Sequence, residues 1–339
     1  MMEGTYMFSK ALWLINSKQS RLALILLYLV YLIILPFSYY NNTDELNRAL
    51  LTNPSNPYLY ISDFSMLAII SPIIVLILSI LLIGIGRNTG GIDFQFSLPY
   101  SPRQLYLSKW VFGIAHIFMA TVGLIILTLL IHYNTNLHKY IDASSFVTIF
   151  TVIFLFTIAF FTIGLSIGTI TGHYFSQTLF TIFTIFSPSI IYFSIYSNLN
   201  GIFNYKLSGN SFEKTITSWS IPYQSGPLYI SKDFNEKIVH YPTIDYGNLT
   251  IIILYIVAFL IIGLLCYNRY ANVNNGKLFV YKKFGLFVNV LFVYLSATLI
   301  ALLTSTIANG NNTFIYVIGL IIGTVVGYFF YKRLNKFFD

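Results

Sequence analysis

Few side chains in this sequence could do chemistry, and those few are kept out of its long apolar stretches. Lys, Arg, Asp and Glu make up 9% of the 339 residues, and none of them falls within the eight stretches described below. Ion-coupled transporters and pumps need ionisable groups inside the membrane. Redox membrane proteins carry paired His or Cys ligands, which these stretches also lack. The sequence therefore argues against both classes.

The densest group of potentially catalytic side chains lies in one short polar segment. His132, His138 and Asp142 are close in sequence, and such a group could provide acid–base catalysis in a lipid-modifying transferase. Neighbouring residues that would orient these side chains are not evident. A membrane-bound enzyme therefore stays an alternative interpretation, as does a non-transporting membrane sensor or assembly protein.

A nucleotide-binding motif is absent from the chain. The phosphate loop of ATPases reads Gly-x-x-x-x-Gly-Lys-Ser/Thr. The nearest match, Gly276-Lys277, is followed by Leu278 and has no glycine five positions before it. If this protein uses ATP to move a solute, a separate subunit must hydrolyse it. We therefore expect no catalytic or metal site and no bound cofactor on this chain, with ATP and Mg²⁺ on a partner subunit.

The most specific pattern lies between the second and third apolar stretches, in residues 87–109. The segment reads RNTGGIDFQFSLPYSPRQLYLSK. Gly90 and Gly91 free the backbone directly after a spanning helix. Pro99 and Pro102 stiffen a turn and stop a short helix from running into the next one. The pattern predicts a short apolar element held rigidly at the membrane edge.

This segment resembles the first cytoplasmic loop of ABC-2 type ABC transporter permeases, of the kind found in peptide and antimicrobial export systems of Gram-positive bacteria. The matching positions are Gly91, Leu98, Pro99, Ser101, Arg103, Leu105 and Lys109. In that family the segment contains the coupling helix, which docks on a nucleotide-binding subunit. The resemblance implies a partner-binding site with Phe94 and Phe96 as apolar anchors. Its residues are Gly91, Ile92, Asp93, Phe94, Gln95, Phe96, Ser97, Leu98, Pro99 and Arg103.

Two further features resemble the same family, namely an amphipathic N-terminal helix and the polar loop after the sixth stretch. That loop departs from the family pattern, because Asn272, Asn274 and Asn275 stand where an acidic residue is common. The resemblance implies a permease that exports an amphipathic substrate, in the first place cytolytic or antimicrobial peptides. It also implies a cytoplasmic ABC ATPase and a second permease, either another copy or a homologue, as partners.

The elements that must position this loop are membrane-spanning helices. A spanning helix needs about 20 mostly apolar residues. Eight stretches meet this requirement, of which the fifth is the most interrupted by polar residues: 22–40, 64–86, 111–131, 146–170, 178–197, 249–267, 286–307 and 314–331. The sequence therefore predicts an all-α, polytopic helical protein of the cell membrane with about eight transmembrane helices.

The orientation of the chain follows from its basic residues, which are retained on the cytoplasmic side. With the N-terminus inside, thirteen of the nineteen Lys and Arg residues fall in cytoplasmic segments. We therefore predict that both termini are cytoplasmic. Because the net charge of +8 gathers at one membrane face, it favours contact with membrane lipid, and we expect no nucleic acid partner.

The predicted domain organisation has four parts. Residues 1–21 hold an amphipathic interfacial helix, or alternatively the start of the first span. Residues 22–267 form a six-helix core that contains the coupling loop 87–109 and a large extracellular loop, 198–248. Residues 268–285 are a cytoplasmic loop, and residues 286–339 form a C-terminal transmembrane hairpin with a basic tail.

Two glycine series predict close helix packing. In each series the glycines are four residues apart and share one helix face, which lets a neighbouring backbone approach. The series are Gly164, Gly168 and Gly172, and Gly319, Gly323 and Gly327. We favour packing within the chain over a dimer interface for both.

Overall fold

A computed structural model describes most of the chain as helix. The described residues are 9–52, 58–204, 211–222, 228–233, 239–240, 242, 245–268, 276–307 and 312–338. Eight helices are long and apolar enough to cross a membrane, and each contains one predicted stretch. They are α1 (Lys10–Thr52), α2 (Asp63–Asn88), α4 (Pro102–Asn134), α5 (Ser144–Ile170), α6 (Tyr174–Phe203), α8 (Tyr246–Asn268), α9 (Lys282–Ile307) and α10 (Thr313–Phe338). The predicted all-α polytopic membrane fold is confirmed.

Two shorter helices and a small sheet complete the structure. The helices are α3 (Gly91–Phe96) and α7 (Ser211–Ser218). The strands β1 (Tyr58–Ile61), β2 (Ile230–Asp233) and β3 (Val239–His240) form an antiparallel sheet in the order β1-β2-β3. The sheet joins the α1–α2 connection to the long segment between α6 and α8. It lies at the end of the bundle opposite α3, because α2 runs from β1 to α3.

The first helix differs from the sequence-based expectation. Residues 10–21 do not form a separate element, because α1 continues from Lys10 to Thr52 with only a π-helical turn at Val30–Ile34. Its start is capped by the Ser9 hydroxyl, which accepts a hydrogen bond from the Leu12 N–H at 3.2 Å. The interfacial helix over residues 1–21 and the alternative, in which these residues begin the first span, both stay predictions. Residues 1–8 of the predicted interfacial helix lie outside the described residues.

The core of the bundle is α5. Every residue from Phe156 to Ile170 is buried, and a helix that is apolar on all sides belongs in an interior. Helices α2, α4, α6 and α8 pack around it. At the glycines of α5, side chains of the neighbouring helices come close to its backbone. A Cβ on Gly168 would lie 2.6 Å from Gln177 Nε2, and one on Gly164 would lie 2.6 Å from Ser79 Oγ. Gly164 and Gly168 therefore lie in contacts with α2 and α6, whereas Gly172 does not share their helix face, because α5 ends at Ile170 and Gly172 lies in the turn before α6.

The C-terminal hairpin is held together by the second glycine series. A Cβ on Gly323 would lie 2.6 Å from Ala297 Cα, and one on Gly319 would lie 2.6 Å from Ala301 Cα. Helices α9 and α10 therefore pack with their backbones in close approach. The hairpin also contacts α6, where the Tyr316 hydroxyl donates to Asn198 Oδ1 at 2.9 Å.

Candidate functional site

The predicted docking segment folds as the short helix α3, which connects α2 and α4. Gly90 precedes it with φ of +71°, a left-handed conformation in which any side chain would be strained. The next helix begins with a capping box, in which the Ser101 hydroxyl accepts from the Gln104 N–H and the Gln104 side chain accepts from the Ser101 N–H. Pro102 occupies the first turn of α4. A left-handed turn at Gly90 therefore precedes α3, and the stiff turn predicted from Pro99 and Pro102 follows it.

The helix α3 has one face turned to the bundle and one turned away from it. Ile92 and Gln95 are buried, whereas Asp93, Phe94 and Ser97 are exposed. The Phe94 side chain is 63% exposed. An aromatic side chain that projects from a short, well-held helix is suited to enter a pocket on a partner protein.

The two predicted anchors have different environments. The ring of Phe96 packs against Tyr267 at the end of α8, with 5.2 Å between ring centroids, and Tyr267 in turn packs against Tyr106. Phe96 thus helps to seat α3 on the bundle, and Phe94 is the aromatic side chain presented outward. Of the remaining predicted site residues, Gly91 and Leu98 are half-buried, and Pro99 and Arg103 are exposed.

Two buried cations mark the ends of this segment, and sequence reasoning did not foresee their role. Arg87 is 2% exposed, and its Nη2 donates to the carbonyl oxygen of Thr169 at 2.9 Å. This carbonyl lies in the last turn of α5, where carbonyls have no partner within the helix and where the helix dipole favours a cation. The only signal in the sequence was the position of Arg87 directly after an apolar stretch.

Lys109 is the second buried cation. It is also 2% exposed, and its Nζ donates to the carbonyl oxygen of Leu82 at 2.7 Å. Leu82 lies in the π-helical turn Ile80–Gly84 of α2, where the ordinary helical hydrogen-bond register is interrupted. Lys109 therefore connects the start of α4 to an irregular turn of α2.

The start of α4 is also tied to the central helix. The Tyr106 hydroxyl and Ser166 Oγ are 2.9 Å apart, and Trp110 Nε1 donates to Thr162 Oγ1 at 3.0 Å. The Ser166 hydroxyl in turn donates to the carbonyl oxygen of Phe259 in α8. The residues that follow α3 are thus hydrogen-bonded to two of the helices beneath it.

The loop after α8 lies at the same end of the bundle. The Val280 N–H donates to the Ile170 carbonyl at 2.9 Å, and the Gly276 N–H donates to the Gly172 carbonyl at 2.9 Å. This segment therefore runs across the turn between α5 and α6. The asparagines at 272, 274 and 275 lie outside the described residues.

The alternative catalytic group takes part in ordinary structural contacts. His132 Nδ1 lies 3.1 Å from the Tyr39 hydroxyl. The Asp142 carboxylate accepts from the Ser144 N–H at 3.0 Å, and this hydrogen bond lowers the pKa of Asp142. His138 Nδ1 lies 2.5 Å from the carbonyl oxygen of Thr135. In the described part of the chain, no three His, Cys, Asp or Glu residues are grouped so that they could hold a metal.

Comparison with known proteins identifies the family. The family model described as ABC-2 family transporter protein matches residues 9–271. The probable ABC transporter permease YtrC of Bacillus subtilis (strain 168) is 25% identical over 221 residues, which cover 63% of this chain and 63% of YtrC. The probable ABC transporter permease YtrD of the same strain is 23% identical over 317 residues, or 92% of each chain. No solved structure matches the chain.

These similarities agree with the geometry of α3 and the eight spans. Permeases of this family are not enzymes themselves, and they work with an ABC ATPase and often with a second permease. The hairpin of α9 and α10 lies beyond residue 271, outside the region that the family model matches. The chain belongs to the ABC-2 transporter family, as a multi-pass permease subunit of an ABC transporter in the cell membrane.

Proposed function

We propose that this chain is the permease of an ABC exporter and that its ATPase subunit docks on α3. The observation that carries the proposal is the outward face of Asp93, Phe94 and Ser97 on a helix whose opposite face is buried. In this proposal α3 and both termini are cytoplasmic, in line with the retention of basic residues on that side. ATP and Mg²⁺ bind to the ATPase, and this chain binds no cofactor.

The buried cations give this docking helix a mechanical connection to the bundle. A movement of α3 would reach α5 through Arg87 and α2 through Lys109. Hydrogen bonds from charged donors are stronger than neutral ones, and a low dielectric strengthens them further. The segment would therefore act as a lever that passes ATP-driven movement to two spanning helices.

The cargo we propose is an amphipathic molecule, with cytolytic peptides of the phenol-soluble modulin type as the first class to test. The apolar stretches carry no charged side chain, which suits an amphipathic or lipid-like substrate better than an ion or a sugar. A transport path between two membrane halves also requires a second permease, either another copy of this chain or a homologue. The exposed apolar faces of the outer helices contact membrane lipid.

The docking proposal is tested by capture of the ATPase. The chain is co-expressed with the ABC ATPases encoded by neighbouring genes, and complexes are purified in detergent. Phe94→Ala should weaken capture at least tenfold, because loss of a central aromatic anchor costs about 2 kcal/mol or more.

The matched control is Phe37→Ala. Phe37 is 65% exposed, close to the 63% of Phe94, but it lies within the first span. We expect this variant to capture the ATPase as the unchanged protein does. Capture that survives Phe94→Ala in full would refute docking at α3, and failure of every neighbouring ATPase to bind would refute the proposed function itself.

A further inference from the structure

A large groove lies at the end of the bundle opposite α3. It has a volume of about 820 Å³ and is bounded by α6, α7 and α9. Its walls are mostly aromatic and aliphatic, and include Phe186, Phe193, Leu295 and Leu299. The volume lies within the range of small-molecule binding sites.

The walls of the groove are held in place by hydrogen bonds. The Ser194 hydroxyl donates to Thr298 Oγ1 at 3.0 Å, and Asn198 Nδ2 donates to the same atom at 3.1 Å, which fixes α9 against α6. The N–H of Ser189, which follows Pro188 within α6, donates to Ser220 Oγ at 3.0 Å and holds the segment that follows α7. The groove is therefore preformed.

The groove depends on a part of the chain that the family model does not match. One of its walls is α9, which belongs to the C-terminal hairpin, whereas α6 and α7 lie within residues 9–271. The site therefore does not follow from membership of the family.

Polar side chains also line the groove, from α6, α7 and α9. Glu213 and Thr217 line it from α7, and Glu213 is the acidic side chain of the lining. The neighbouring Lys214 is exposed but does not line the groove. Tyr192 and Tyr196 stack in parallel on the α6 side, with 6.3 Å between ring centroids and 8° between ring planes.

We propose that this groove binds a cationic amphiphile with a single apolar chain. The carboxylate of Glu213 attracts the positively charged head, and tyrosine faces stabilise cations such as quaternary ammonium groups. The phenylalanine and leucine side chains bury the apolar tail. The proposal does not require the ATPase, because all of its groups belong to this chain.

The test uses the full chain in phosphatidylcholine nanodiscs with radiolabelled dodecyltrimethylammonium as the probe. Empty nanodiscs measure partition of the probe into lipid. We expect saturable binding of one probe molecule per chain. Unlabelled amphiphiles with the same twelve-carbon tail should compete when their head is cationic, and not when it is a sulfate or a sugar.

Two variants locate the site. Glu213→Gln should weaken binding at least tenfold, whereas Glu45→Gln, which changes an exposed glutamate of α1 at the same end, should leave it unchanged. Leu299→Trp fills the groove and should abolish saturable binding; Leu299 is 58% exposed, so the larger side chain is accommodated.

Either of two results would overturn the proposal. The first is equal binding by the protein with and without Glu213→Gln. The second is equal competition by anionic and nonionic amphiphiles, which would show that the groove takes any acyl chain. Because binding is measured on the permease alone, either failure is distinct from a failure of ATPase capture.

Discussion

At the scale of single residues, the placement of Arg87 and Lys109 departs most from an ordinary membrane helix. Cations next to a span usually extend towards water, whereas these two are directed inward and donate to backbone carbonyls. Burying a cation is costly unless hydrogen bonds compensate. Each of these two side chains donates a hydrogen bond to a carbonyl of another element, and together they bracket α3, which supports a role in holding that helix on the bundle.

Replacing Arg87 should therefore destabilise the protein. Arg87→Ala leaves a cavity, and the Thr169 carbonyl in the last turn of α5 loses its charged hydrogen-bond donor. We expect the free energy of unfolding to fall by about 2–4 kcal/mol. Thermal unfolding in detergent should show a lower midpoint. Arg103→Ala is the control, because Arg103 is exposed on the same segment and its loss should change stability by no more than about 0.5 kcal/mol. Equal midpoints for the two variants would contradict the structural role of Arg87.

Sequence reasoning predicted the docking segment but did not distinguish the roles of its two phenylalanines. Phe94 and Phe96 are both apolar residues after a Gly-Gly pair, and nothing in the sequence indicates which one faces a partner. Their roles diverge because Tyr267, far away in sequence, packs against Phe96. The inward turn of Arg87 was unpredictable for the same reason, since its acceptor is a carbonyl on another helix.

At the scale of elements, the eight spans could be predicted because bilayer thickness imposes a minimum apolar length. The helix ends could not, because helix formation continues beyond the apolar region. The helix α1 begins near Lys10 and ends at Thr52, well outside the apolar residues 22–40. Hydropathy does not detect such extensions, since their stability comes from caps and packing, as at Ser9.

The close packing of the α10 glycines against α9 can be tested by substitution. Gly323→Val would place a side chain 2.6 Å from the backbone of Ala297, so α9 and α10 must separate. Limited proteolysis should then cleave the hairpin faster, and probe binding in the α6–α9 groove should weaken. Thr324→Val, an exposed position one residue further on, should change neither. ATPase capture should survive both substitutions, because α3 lies outside the hairpin. Loss of capture in Gly323→Val would show that the hairpin instead supports the docking end.

At the scale of the whole molecule, charge divides the two ends of the bundle. Around α3, the exposed described side chains include Lys10, Lys18, Arg21, Arg103, Lys283, Lys332, Arg333 and Lys336. Among the residues that the structure describes at this end, Asp93 is the one acidic residue, and it lies on the outward face of α3. At the opposite end, acids such as Glu213 and Asp245 accompany the sheet and the groove. The molecule thus has a basic end around α3 and an end richer in acidic residues around the groove.

This asymmetry predicts the orientation in the membrane, which can be measured by cysteine labelling. After Cys266→Ser removes the one native cysteine, single cysteines are introduced by Ser97→Cys on α3 and by Lys139→Cys at the opposite end, both exposed positions. Because Lys and Arg are retained in the cytoplasm, a membrane-impermeant maleimide should label Lys139→Cys in intact cells. It should label Ser97→Cys only after the cells are opened. Labelling of Ser97→Cys in intact cells would invert the orientation and place α3 where no cytoplasmic ATPase could reach it.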